Sequence, residues 1–306
     1  MHHNLTPKKV SGQQLYDLDI PGGWNKSAIK QIADGVLAGV EDIDLQTYNF
    51  LTKLTNTLLV TGSIIIVDKK ILEGEVIFIE EAEASQVALF LPKVPKNTQK
   101  TMQVWELFSD KVEVTTYTAT TDAQKIKNVA ELTAVLEKRP VVDTIIIPST
   151  QGIIFIENGK GVLVPAAATL LRLFELSNLL QKAISEDALR WFVTAYGADI
   201  NGLNDKLTAG AFGTLPDGAT FEHMYDSSYT GDIFRQMEVL VPAFKEQVSN
   251  FVITPGESGI ARYIGMLAYI NIVKHTQKIC SFVFEQYSET VEFTNPVFQS
   301  IRSELV

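Results

Sequence analysis

Few side chains in this sequence combine residue type and spacing in the way that chemistry requires. Ser27 to Lys30, "SAIK", has the Ser-x-x-Lys form in which a lysine serves a serine nucleophile, but no Lys-Thr-Gly triplet accompanies it. It is read as helix surface. The stretch "GIIFIENGKG" resembles a phosphate loop, but its glycine spacing is wrong and Lys160 is followed by Gly161 rather than Ser or Thr. "DINGLND", Asp199 to Asp205, hints at a calcium loop, yet Leu203 occupies a ligand position and Gly202 comes too early. No Gly-x-Ser-x-Gly elbow occurs. The four histidines do not pair as ligands. His223, beside Glu222 and Asp226, is read as a solvated loop residue, and His275, between Lys274 and Thr276, as lying on a polar helix face. Glu80, Glu81 and Glu83 are read as a solvated strand end rather than a cation site. Nothing assembles a nucleophile with a base, or a metal site, so no enzymatic activity, metal or cofactor is expected.

Cys280 is the one cysteine, which excludes an intramolecular disulfide framework and a cysteine metal cluster. It lies in an apolar helical stretch and is expected to be a buried thiol acting as a small hydrophobe. The 306 residues suffice for one large domain or two modest ones, and 46% hydrophobic with 20% charged residues supports a substantial core. A net charge of -10 and a pI near 5.0 leave no basic footprint, which excludes tight reading of a DNA groove. Such a charge remains compatible with a protein that lets DNA slide past without sticking. The first thirty residues carry no apolar signal core, and no stretch approaches the roughly 18 apolar residues of a membrane span. No membrane partner is therefore expected, and assembly in a reducing cytoplasm is.

The elements that would position any site follow from periodicity. "NKSAIKQIADGVLAGV" sets Ile29, Ile32, Val36 and Val40 on one helix face, with Asn25 or Ser27 as its cap. A second helix, "DLQTYNFLTKLTNTLLVTG", changes at Gly62 into the strand "SIIIVDKK". Residues 74–120 read as β, and "DAQKIKNVAELTAVLEK" as a polar helix ending before Pro140. "VVDTIIIP" and "GIIFIENGKGVLVP" read as strands, with Asn158-Gly159 as a hairpin turn. After Pro165 a helix with apolar residues around much of its circumference begins, and such a helix needs neighbours on more than one side. Residues 197–229 form a Gly-rich break that includes the turn Pro216-Asp217-Gly218. Thr230 or Asp232 is expected to cap the next helix, whose Phe234, Met237, Val241, Phe244 and Val248 form a stripe. Pro242 inside it removes a donor and clashes with the carbonyl of Glu238, at ~3 kcal/mol in a straight helix, so a kink is expected there. A loose loop, a long helix from about Ile260 to Gln286, and a strand-like "TVEF" close the chain.

This order of parts resembles the portal proteins, or head-to-tail connectors, of tailed bacteriophages. The residues that carry the resemblance are "LRLFELSNLLQKA", "GTLPDGATFEHM", "DIFRQMEVLVPAFKEQVSNF" and Ser258-Gly259-Ile260-Ala261, with "LTNTLLVTGSIIIVD" at the start of a wing. It covers most of residues 24–290. It implies an α+β fold with an N-terminal wing (1–164), a first stem helix (165–190), a clip (191–229), a second stem helix (230–250) and a tunnel loop (251–259). A C-terminal wing helix and tail (260–306) would follow, with a short or absent crown. The function it implies is a homo-oligomeric ring of about twelve subunits at one capsid vertex of the virion. Double-stranded DNA would pass through without sequence specificity. A terminase motor, capsid protein and tail or adaptor proteins would dock on the ring.

In such a ring each stem helix has a neighbour on both sides, which accounts for wide apolar faces. Glu238, Lys245 and Glu246 would face neighbours or the channel, with Pro242 at the kink. Asn250, Thr254, Gly256, Glu257 and Ser258 would border the DNA from the tunnel loop, and Asn204, Asp205, Lys206 and Asp217 would serve docking at the clip. An acidic lumen repels phosphate and keeps DNA from adhering. Two other classes compete with this reading. One is a non-viral cytosolic scaffold that oligomerises through its helical half. The other is an enzyme with an unmarked pocket between the β-rich and helical halves.

Overall fold

The computed structural model describes residues 10–40, 43–79, 86–93, 100–119, 126, 128–148, 152–187, 191–195, 219–223, 227–248 and 259–293. It is a mixed α+β fold with antiparallel sheets. Its first helix, α1 (Gly12–Tyr16), starts at a reciprocal cap: Ser11 Oγ accepts from the Gln14 amide at 3.2 Å and Gln14 Oε1 accepts from the Ser11 amide at 3.0 Å. Helix α2 (Trp24–Leu37) follows Gly23, whose φ of 59° is left-handed, and has no side-chain cap. Asn25 therefore does not cap α2. It is fully buried, and its Nδ2 donates to the carbonyls of Leu15, Tyr16 and Leu18 at 2.9, 2.9 and 3.0 Å, closing the end of α1 instead.

Helix α3 (Leu45–Thr61) is capped by Asp44, which accepts from the amides of Gln46 and Thr47. The helix stops at Gly62, at φ +77°, whose amide donates to the Leu58 carbonyl at 2.8 Å. Gly62 thus makes the expected change from helix to strand. Strand β1 (Ser63–Val67) follows and lies between β2 (Lys70–Ile71) and β8 (Ile153–Glu157) in a three-stranded antiparallel sheet.

The second sheet is a five-stranded antiparallel array in chain order: β3 (Gly74–Ile79), β4 (Gln86–Pro92), β5 (Thr101–Leu107), β6 (Lys111–Thr118) and β7 (Val141–Pro148). Alternation assigns its two faces. Val76, Ala88, Phe90, Trp105, Val112 and Val114 pack on Ile65 of the first sheet, with Phe155 in edge contact with Trp105 at 6.1 Å. Ile79, Val87, Leu89, Met102 and Val104 pack on the opposite face under Leu132 of α4 (Val129–Leu136). Helix α4 begins just after its cap Asn128, whose Oδ1 accepts from the Glu131 amide at 2.8 Å, and Asp122 to Lys125 and Lys127 of the polar pattern lie outside the described residues.

The Asn158-Gly159 hairpin is not formed. No strand follows Gly159 to pair with β8, and the chain instead crosses the end of α3. The Asn158 amide donates to Gly62 at 2.9 Å and the Val162 amide to Leu59 at 2.8 Å, so backbone partners on α3 replace a returning strand. Nor is "TVEF" a strand: Phe293 forms only an isolated bridge with Val40.

The chain continues as α5 (Ala167–Asp187), a two-stranded hairpin of β9 (Trp191–Ala195) and β10 (Ala219–His223), α6 (Ser227–Gln247) and α7 (Gly259–Gln286). Because α6 begins at Ser227, neither Thr230 nor Asp232 caps it. α5, α6 and α7 are not a separate body. Leu170, Leu173, Phe244 and Val273 share one buried cluster with Leu15, Ile29 and Ile32, while Cys280 and Phe284 of α7 join Leu51, Leu54 and Ile64 in another. Gly35 lets α7 approach α2, since a Cβ there would overlap the Tyr269 hydroxyl.

The tightest crossing lies at the end of α3. A Cβ on either Gly12 or Gly161 would overlap the carbonyl oxygen of Val60, which is backbone and cannot swing away. Gly161→Ala is expected to lower stability by about 1–3 kcal/mol, the usual cost of overpacking. A urea midpoint measured beside that of Gly231→Ala checks it, because a Cβ on Gly231, inside α6, meets nothing. Equal midpoints would contradict the crossing.

Candidate functional site

Two features offer themselves as functional surfaces: the α5–α6 helix pair and a cavity on the five-stranded sheet. Each helix of the pair has 21 residues, about 30 Å of rise. Their connection is the β9–β10 hairpin, registered from Trp191 opposite His223 to Ala195 opposite Ala219. The helices are tied by Thr169 Oγ1 donating to Gln247 Oε1 at 2.8 Å and by Arg172 donating to Gln236 Oε1 at 3.3 Å.

On α6 the buried line is Ile233, Phe244 and Val248, with Met237, Leu240 and Val241 half-buried between them. Phe234, expected in this stripe, is 51% exposed. The spacing Ile233, Met237, Val241, Phe244, Val248 follows the helical period better and turns Phe234 outward. Val239 is 71% exposed and Leu179 on α5 is also exposed, so the pair shows apolar side chains away from its own core. Among the polar positions predicted to face a neighbour or channel, Glu238 and Glu246 are exposed and Lys245 is half-buried. Pro242 is exposed, and α6 is helical on both sides of it. Asn204, Asp205, Lys206, Asp217, Asn250, Thr254, Gly256, Glu257 and Ser258 lie outside the described residues, as do Glu80, Glu81 and Glu83.

The cavity has a volume of about 960 Å³. Phe90, Gln103, Trp105, Val114, Ile145 and Ile147 supply its sheet side. Asp68, Lys70 and Glu73, from the turn, the short strand and the link after β1, also line it, as does Tyr287. Sequence reasoning missed this site. Asp68 and Lys69 have φ of 49° and 57°, the left-handed pair of a tight hairpin, without the Gly or Asn that normally signals one. Tyr287, just past α7, braces that turn. Its hydroxyl accepts from the Lys69 amide at 3.1 Å and donates to the Gly152 carbonyl at 3.2 Å, and Lys69 Nζ lies over its ring and pairs with Glu289. Burial raises the Tyr287 hydroxyl pKa, so it stays a neutral donor. Glu73 is held ionised below its ordinary value by its hydrogen bond and charge attraction to Lys53 at 2.9 Å. Among the described residues the lining has no His, Cys or Ser, and its polar groups are Asp68, Lys70, Glu73, Gln103 and Tyr287.

Among the described residues there is no group of three or more His, Cys, Asp or Glu side chains placed to hold a metal ion, and no helix long and apolar enough to cross a membrane. His275 is exposed and its Nε2 meets Asn158 Oδ1, in keeping with a polar face. Cys280 is buried against Thr55, whose Oγ1 lies 3.7 Å from its sulfur. No protein-family model matches the chain, and neither does any curated protein.

Burial pushes the Cys280 thiol from its ordinary 9.0 up to about 12, with the Thr55 contact opposing slightly. At pH 8 the folded chain is therefore expected to leave a thiol reagent such as DTNB unconsumed, while the denatured chain releases one equivalent. Because the folded value is the higher one, this group's contribution is complete below 9.0 and is lost as pH rises toward 12. Fast reaction of the native chain would show the thiol to be accessible.

Proposed function

We propose that the chain is a portal-type ring subunit: about twelve copies close around an axis, and double-stranded DNA passes through the centre at one capsid vertex. The observation that carries this reading is the α5–α6 pair. Its two long helices bury one side in the chain's own core and leave Leu179, Phe234 and Val239 uncovered on the others. Neighbouring copies would cover these flanks, as a closed ring requires of a head-to-tail interface. The exposed Glu238 and Glu246 and the net charge of -10 give a lumen that repels phosphate, so a duplex slides without adhering.

On this reading the chain performs no chemistry. Terminase supplies the energy of packaging from outside and docks near the β9–β10 hairpin, and tail or adaptor proteins follow it there. On this reading the tunnel loop, 251–259, borders the channel. The virion is its final location.

Sedimentation velocity tests the reading. The wild-type chain is expected to run as one large species near a dozen subunits. The double variant Phe234→Glu with Val239→Glu is expected to run as a monomer with unchanged far-ultraviolet circular dichroism, because both side chains are already outside the core. A wild-type monomer at tens of micromolar, or an assembly indifferent to the two glutamates, would overturn the proposal.

A further inference from the structure

Left-handed backbone collects at one corner of the molecule. Among the described residues, three that are not glycine have a positive φ: Asp68 at 49°, Lys69 at 57° and Ser288 at 57°. Asp68 and Lys69 make the turn between β1 and β2, and Ser288 follows Tyr287, whose hydroxyl bonds to the Lys69 amide. Gly152, at φ +61°, lies against the same ring, where a Cβ would stand 3.2 Å from Tyr287 Cε1. Residues other than glycine adopt this region at a cost and keep it only where their surroundings over-determine it. For Ser288 the cause is local: just past α7, the amides of Ser288 and Glu289 donate to the carbonyls of Glu285 and Phe284 at 3.0 Å each.

Few contacts hold the corner. The Tyr287 hydroxyl accepts from Lys69 at 3.1 Å and donates to the Gly152 carbonyl at 3.2 Å, so one phenol joins three segments that are distant in sequence. Lys69 Nζ lies 5.4 Å from the Tyr287 ring centroid and pairs with Glu289. The Lys69 and Glu289 side chains are 45% and 41% exposed, and an ion pair so placed contributes little. Behind the corner each segment is secured separately. Ile66 and Ile71 on either side of the turn, Ile154 beyond Gly152, and Phe284 and Val291 on either side of Tyr287 are buried in one cluster. The corner can therefore come apart while that cluster stays packed. Parts with few buried contacts and exposed bonds open at a lower free energy than the whole fold, and relaxation of left-handed backbone lowers the cost of opening further.

We propose that this corner is a latch: the β1–β2 turn, the start of β8 at Gly152 and residues 287–289 release together, as one unit, while the core remains folded. The phenol is their shared tie, so its loss frees all three. Asp68, Lys70, Gly152 and Tyr287 also line the cavity, so the latch changes the shape of the cavity when it opens. The inference is independent of the ring reading, which concerns α5 and α6.

Hydrogen exchange read by mass spectrometry on the full chain tests it. Peptides that contain residues 68–70, 152–153 and 287–289 are expected to exchange together, and faster than those of α2. Tyr287→Phe should speed exchange in all three at least tenfold and leave α2 unchanged. Glu289→Gln, at a half-exposed side chain whose loss spares the core, should speed exchange at 152–153 although Glu289 pairs with Lys69. Asp68→Gly should slow exchange in all three about threefold, alone and in the Tyr287→Phe background, because glycine takes left-handed backbone without strain. Acceleration by Tyr287→Phe confined to 68–70, unchanged exchange at 152–153 in Glu289→Gln, or acceleration by Asp68→Gly would each overturn the proposal. So would exchange of the three peptides at the rate of α2, which would show that the corner opens only with the whole fold.

Discussion

The fold depends on how three backbone segments meet at the carbonyl oxygen of Val60. Gly12 approaches it from one side and Gly161 from the other, and neither position has room for a Cβ. The neighbouring carbonyls of the last turn of α3 are satisfied there too: Leu58 accepts from Gly62 and Leu59 from Val162. One crossing thereby ends a helix and starts β1. It also passes the chain from β8 toward α5. Leu163, Ala166 and Ala167, just beyond Gly161, are buried in the same cluster as Leu59 and Val60, which fixes where α5 begins.

From that anchor the remaining geometry follows. α5 leaves the core with its first turns buried, returns as α6, and the two are held by Phe244 and Val248 near the anchored end. α7 then closes over α2 and α3, with Phe284 against Phe50 at 5.6 Å between ring centroids. The pair is secured at one side, and on the others Leu179, Phe234 and Val239 stand exposed among polar residues such as Glu238 and Glu246. The sheet repeats the pattern on a smaller scale: its interior strands are covered by α4 and by the β1 sheet, while β7 is left bare.

Much of this was legible because it is local. Alternation located β3 to β6, Gly62 marked the helix-to-strand change, and the run ending at Gln286 gave α7. The misreadings share a cause, which is that a distant partner outbid a local preference. Asn158-Gly159 is good hairpin chemistry, but the backbone of α3 offered partners first. Asn25 is a good cap, but three carbonyls of the α1 end claimed its side chain. Phe234 fits a helical stripe almost as well as Ile233, and only the packed core distinguishes them. The cavity was invisible because Tyr287 and the Asp68-Lys69 turn are more than two hundred positions apart and meet only in the fold. The series of long helices after Pro165 was legible too, as α5, α6 and α7 with the β9–β10 hairpin between the first two.

On the proposed reading, the exposed flanks of α5 and α6 are interfaces between identical copies around a hole. Electron micrographs of the purified chain, averaged along the symmetry axis, test this most directly. The account predicts closed rings with a central opening wide enough for a DNA duplex. A field of single compact particles of one chain's mass, with no ring at any concentration, would contradict it.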